Sequence, residues 1–191
     1  MDTWNRQRTK KYRLGLKLFE LGNLVQSRMD VRMEARPYCQ LLADKYRTTV
    51  HLATHSEGEI IYIDKVDNNS SVVVYSQIGK RAPMYCTGVG KAILAFLPEE
   101  YMEKYVLSRP LIKMTEHTIT TGDGLLKELE QVRERGYAVD DEEIEPGLHC
   151  NRSSDFQSQA PASDGDFDVL SIRKNVGSGL GAGRSGCPIL C

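Results

Sequence analysis

Apolar residues recur at two different periods along the 191-residue chain, and the switches between periods mark its elements. After a short basic, β-like stretch at 10–13, Leu14, Leu18, Leu21 and Val25 fall at helical spacing, which predicts a strand running into a connecting helix. Met29, Met33, Ala35, Cys39, Leu42 and Ala43 make a second amphipathic pattern in a charged background, with Asp30 as its N-cap and Pro37 as a break or kink. The period then shortens. Val50 and Leu52, then Ile61 and Ile63, alternate on either side of Glu57-Gly58, as in two strands joined by a tight turn. A further turn at Asp67-Asn68-Asn69 leads to a β-branched run at 71–79, so three consecutive strands predict a meander and an antiparallel sheet.

Helical spacing returns beyond a loop at 80–91. Residues 92–97 suit a buried helix stopped by Pro98, and Glu99 and Glu100 suit the first turn of the next one. Between 121 and 137, Leu125, Leu126, Leu129 and Val132 share a face, Glu128 and Arg133 supply opposite charges, and Gly136 is the stop. Tyr137-Ala138-Val139 predicts a strand entering the acidic run 140–145. Helices and an antiparallel sheet together place the chain in the α+β class, and neither an internal repeat nor a coiled-coil heptad is visible.

Periodicity stops at Cys150. Residues 151–191 are rich in Ser, Gly and Asp, a composition that buries too little surface to order itself. A disordered native tail is one reading. With suitable codons, however, reading 151–172 one base later gives IAAPIFNHRRQPVMAISMSSP, an alternating strand, a polar turn and a second alternating strand. A frameshifted tail is therefore preferred, and the coding DNA across codon 150 decides between the two.

Composition narrows the classes of function. One domain with a real core fits a hydrophobic content of 40% at this length. The 25 basic and 26 acidic residues give no overall drive toward nucleic acid or membrane surfaces, although residues 1–13 carry net +4 and residues 140–145 net −5. No apolar stretch approaches the roughly 20 residues of a membrane span, and the N-terminus lacks the apolar core of a signal peptide, so a cytoplasmic protein is expected. Cys39, Cys86, Cys150, Cys187 and Cys191 are odd in number and spread out, which suits reduced thiols and neither a disulfide framework nor a zinc site.

Two constellations carry candidate chemistry. Pro83–Lys91 places glycines at a helix start, where free N–H groups and the helix dipole favour an anion such as a carboxylate; a plain structural turn is equally open, and the spacing is not that of a phosphate-binding loop. The acidic run from Asp140 reads mostly as a solvated loop, and Asp140, next to Val139, is its best candidate for accepting hydrogen bonds from ligand hydroxyls. His149 and Cys150 point to opposite faces of an extended strand and make no nucleophile–base pair. His51 and His55 read as structural, with no third ligand for a metal. Neither catalytic residues nor a cofactor are expected, and a small Cys-dependent hydrolase using Cys86 or Cys150 is the enzyme alternative.

These segments together resemble the effector-binding domain of the IclR family of transcriptional regulators. The resemblance rests on YRLGLKLFELG (12–22), IYIDKV (61–66), GKRAPMYCTGVGKAILA (79–95), TITT (118–121) followed by RERGYAVDDEE, and PGLHC (146–150), all in family order, and it leans toward sugar-acid-responsive members. It implies a GAF-like, profilin-like curved antiparallel sheet flanked by helices, working as a dimer or tetramer. It implies a small anionic metabolite bound by the backbone of Gly88 and Val89, walled by Ala82 and Met84, and closed by Asp140 and Cys150. It divides the chain into a winged-helix remnant (1–13), a linker helix (14–28), an incomplete effector-binding domain (29–150) and an aberrant tail (151–191). DNA recognition then belongs to a missing N-terminal domain, and the loss of the final strand pair predicts an unpaired sheet edge, poor stability, weak ligand binding and aggregation. An interaction module that joins intact paralogues through the linker helix is the other alternative.

Overall fold

The computed structural model describes residues 4–6, 12–47, 49–68, 77–146, 149–153 and 170–173. Strands β1 (Trp4–Arg6) and β2 (Tyr12–Leu14) pair antiparallel, and the chain passes through Gly15 into α1 (Leu16–Ser27), as the change of period predicts. Helix α2 (Asp30–Tyr46) is continuous through Pro37. Asp30 is its first residue and Met29 occupies the cap position, so Asp30 meets the helix dipole from inside the first turn instead of capping it.

The hairpin is formed by β3 (Thr49–Ser56) and β4 (Glu59–Val66), closed by Glu57 and Gly58, both at positive φ. Gly58 is required twice over: its φ is +84°, and a Cβ there would stand 2.5 Å from the Tyr105 carbonyl oxygen. The expected strand at 71–79 falls mostly outside the described residues, and the ladder seen on the far side of β4 is made by a different segment. Residues 69–76 lie outside the described residues, 77–80 form a turn, and β5 (Arg81–Pro83) makes the ladder with β4 inside what the pattern marks as a loop.

A one-residue slip in this sheet decides which side chains meet which helix. Leu52 pairs with Asp64, but Ala53 pairs with Tyr62, so Ile63 is an extra residue in β4 and the faces exchange across it. Before the bulge, Ile60 and Tyr62 point to one core; after it, Asp64 and Val66 point to the other, under α2. There Cys39, Leu42 and Ala43 of α2 pack on Val50 and Val66, and Asp64 meets Arg36 at 2.6 Å and Arg32 at 3.4 Å.

The opposite face carries the larger core, built on α3 (Gly88–Leu94) and α5 (Gly122–Arg135). Helix α3 begins four residues earlier than the apolar run 92–97 suggests, because Thr87 caps it. A short helix α4 (Glu99–Met102) follows Pro98 and continues as a π-helical turn, Glu103–Leu107. In α5, Leu125, Leu129 and Val132 are buried, whereas Leu126 lies at the edge of that stripe and is exposed. Glu128 pairs with Arg135 and Lys91, not with Arg133, whose side chain donates to the Ala95 carbonyl.

Strand β6 (Tyr137–Asp141) pairs antiparallel with β7 (His149–Ser153), and β8 (Leu170–Arg173) pairs with β3. The sheet order is β5-β4-β3-β8, with β7 alongside β8. Segment 151–191 thus supplies strand residues at 151–153 and 170–173, and β3 is paired on both sides, by β4 and by β8. The result is an α+β fold with an antiparallel sheet between helices.

Candidate functional site

The candidate site is assembled where β5, the first turn of α3 and the end of β6 come together. Leaving β5, the chain turns at Met84, whose N–H donates to the Gly58 carbonyl at 3.1 Å. Thr87 then donates to the Pro83 carbonyl at 3.0 Å and accepts the Gly90 N–H at 3.1 Å. Gly90 has a packing reason to be glycine: a Cβ would stand 2.2 Å from the Met84 carbonyl oxygen and 2.5 Å from Thr87 Oγ1. The N–H groups of Gly88 and Val89 have no acceptor inside the helix by its geometry. Ala82, Met84 and Val89 are buried together with Cys86 and Ala138.

On the other side stands the acidic run, and only part of it is solvated. Asp140 and Glu143 are buried, while Asp141 and Glu145 are exposed. Asp140 Oδ1 accepts the Glu143 N–H at 3.0 Å, and Glu142 takes a positive φ that tightens the turn. The start of the TITT segment and the residue three before it lock the same loop: Thr118 Oγ1 donates to the Glu143 carbonyl at 2.6 Å and Thr115 Oγ1 to that of Glu142 at 2.6 Å. Lys91, only 1% exposed, faces this loop from α3 and pairs with Glu143 and, at 3.3 Å, with Glu128. Arg135 closes on Glu128 at 2.7 Å.

Of the six residues expected to form a ligand site, Ala82, Met84, Gly88 and Val89 therefore share one corner of the larger core. Asp140 lies against it on β6, and Cys150 is the β7 residue paired with Asp140; the Cys150 side chain lies outside what is described. Lys91 and Glu143 were missed. Their signal was present in a lysine inside an apolar helical run and in a threonine-rich segment preceding an acidic one, but neither pattern says which charges fold inward.

The other chemical candidates resolve differently. Burial, with Asp140 and Glu143 adding to it, pushes the Cys86 thiol up to about 12, so it is no nucleophile near neutral pH. His55 shares a hydrogen bond with the Tyr101 hydroxyl at 3.1 Å, and His51 packs its ring on Tyr62. Among the described residues, no group of three His, Cys, Asp or Glu side chains is placed to hold a metal ion, and no helix is long and apolar enough to cross a membrane.

Comparison with known proteins gives this arrangement a family. The model of the family described as Bacterial transcriptional regulator IclR C-terminal matches residues 23–157. The HTH-type transcriptional regulator KdgR of Escherichia coli (strain K12) is 39% identical over 142 residues, which cover 74% of this chain and 54% of that protein. The regulator XynR of the same organism is 35% identical over 140 residues, covering 73% and 56%. The crystal structure of Thermotoga maritima IclR superposes with a TM-score of 0.72 at 35% identity, covering 89% of this chain and 67% of that one. For the C-terminal domain of E. coli KdgR the values are 0.66, 33%, 77% and 82%. The chain spans about half the length of the curated relatives it matches. It belongs to the IclR family of bacterial transcriptional regulators, which it matches through their C-terminal domain.

Proposed function

We propose that this domain is the metabolite sensor of a cytoplasmic transcriptional regulator, and that it takes a small organic acid or sugar acid between the first turn of α3 and Asp140. The observation that carries this reading is the shared corner: two helix-start N–H groups, the apolar wall of Ala82 and Met84, and the Asp140–Cys150 strand pair converge there. Helix-start amides and dipole suit the carboxylate of the ligand, and a carboxylate at Asp140, as a hydrogen-bond acceptor, suits its hydroxyls. DNA recognition, in this reading, belongs to the part of the relatives that this chain does not cover, residues 1–13 being the end of a winged helix and 14–28 the linker.

Thermal unfolding with a panel of aldonic and keto acids, against neutral polyols of matching size, tests the reading. At 100 times Kd a ligand adds about 2.7 kcal/mol to the native state, so an acid that binds raises Tm by several degrees. A panel in which no acid raises Tm, or in which polyols do so equally, overturns it.

One further observation favours an additional role in oligomerisation. Helix α1 buries none of its side chains, and Leu16, Phe19, Leu24 and Val25 are all exposed, Leu16 to 75%. An apolar helix left uncovered on several sides suits a second copy of the chain. Sedimentation velocity of the Phe19→Asp variant is expected to show a smaller species than the wild type, and identical profiles contradict this role.

A further inference from the structure

Glu143 is held from three directions. Its N–H donates to Asp140, its carbonyl accepts from Thr118, and its Oε1 pairs with the Lys91 ammonium. With the backbone and one carboxyl oxygen fixed, the other, Oε2, is buried and has no hydrogen-bond partner among the described residues. The residue as a whole is 6% exposed. A buried acceptor left unmatched costs about 1–3 kcal/mol, more if charged, and a donor brought by a ligand removes that cost.

The surroundings indicate the kind of donor. Lys91 already lies between Glu143 and Glu128, and Arg135 also closes on Glu128, so the cluster holds cations of its own. Asp140 stands beside Glu143 as well, and the buried Cys86 thiol lies within reach of both carboxylates. A neutral O–H fits this environment and adds no charge to it. Resting on the sensing role above, we propose that Glu143 is a further specificity-determining residue: its Oε2 accepts a hydrogen bond from a hydroxyl of the bound acid, so the site selects hydroxylated acids over unsubstituted acids of the same length.

Calorimetric titration of gluconate and of hexanoate, two six-carbon monocarboxylates of which only the first carries hydroxyls, into the wild type and Glu143→Gln tests this. The glutamine keeps the shape and offers its carbonyl to Lys91, which leaves an N–H donor where an acceptor stood. The wild type is expected to prefer gluconate by about tenfold or more, and the variant to lose about tenfold of that preference while hexanoate affinity holds. Glu143→Asp, which keeps the charge but withdraws it by one methylene, is expected to lose preference in the same direction. A preference retained in either folded variant overturns the proposal while leaving the sensing role standing. Binding of neither acid to the wild type overturns this proposal, and the sensing role falls with it only if the whole acid panel also leaves Tm unchanged.

Discussion

A methyl group on Gly90 would meet the Met84 carbonyl oxygen at 2.2 Å and the Met84 Cα at 2.3 Å, both backbone atoms that cannot swing aside. Gly90→Ala is therefore expected to destabilise the domain by about 3 kcal/mol or more, measured by denaturant unfolding, because it forces the cap at Thr87 apart. From the sequence, the glycines of this turn suggest only close approach to something; that the something is the chain's own Met84 follows from how the turn folds back, which no spacing encodes. The acidic run is partly legible in the same way. Asp140 stands out beside an apolar strand, but Glu143 is turned inward by Thr118 and Lys91, residues 25 and 52 positions away. Burial raises the Glu143 carboxyl above its ordinary value of 4.5 despite the opposing pull of Lys91. A raised folded-state value means that the protonated form suits the fold better, so this group's contribution is fully present below pH 4.5 and declines as pH rises through the shifted value. The stability of Glu143→Gln relative to wild type should accordingly improve from pH 4 to pH 7; thermal melts showing the reverse trend contradict this assignment.

At the level of elements, the hairpin, α5 and β6 were readable because each combines a clean period with a local stop: Glu57-Gly58, Gly136, and the onset of the acidic run. The bulge at Ile63 was not. Residues 60–63 are Ile-Ile-Tyr-Ile, and a run of four apolar residues conceals which parity faces which core. Its consequence is that Asp64 reaches under α2, where it is 1% exposed and accepts from both Arg36 and Arg32. Losing one member of a buried ion pair costs about 3–5 kcal/mol, and less where a partner stays solvated, as Arg36 does. Asp64→Ala is expected to cost about 2 kcal/mol by denaturant unfolding and to loosen α2 in hydrogen exchange before the β3–β4 hairpin. Equal protection of α2 in both proteins contradicts the pinning role.

For the whole molecule, the α+β class follows from the sequence pattern, and the order of family motifs along 12–150 agrees with the IclR C-terminal match at 23–157. What the sequence withholds is the closure of the sheet. Leu170–Arg173 is too short and too isolated in a Ser- and Gly-rich segment to announce itself as a strand, yet it pairs with β3, whose ladder supplies the partner that local propensity lacks. The central claim is that the first turn of α3 and Asp140 bound one ligand site. Amide chemical-shift mapping of the isotopically labelled protein during titration with gluconate tests it most directly. Signals of Gly88 and Val89 should move together with those around Asp140 and reach half-saturation at the same concentration; shifts confined to other elements, or half-saturation at different concentrations for the two groups, would contradict the claim.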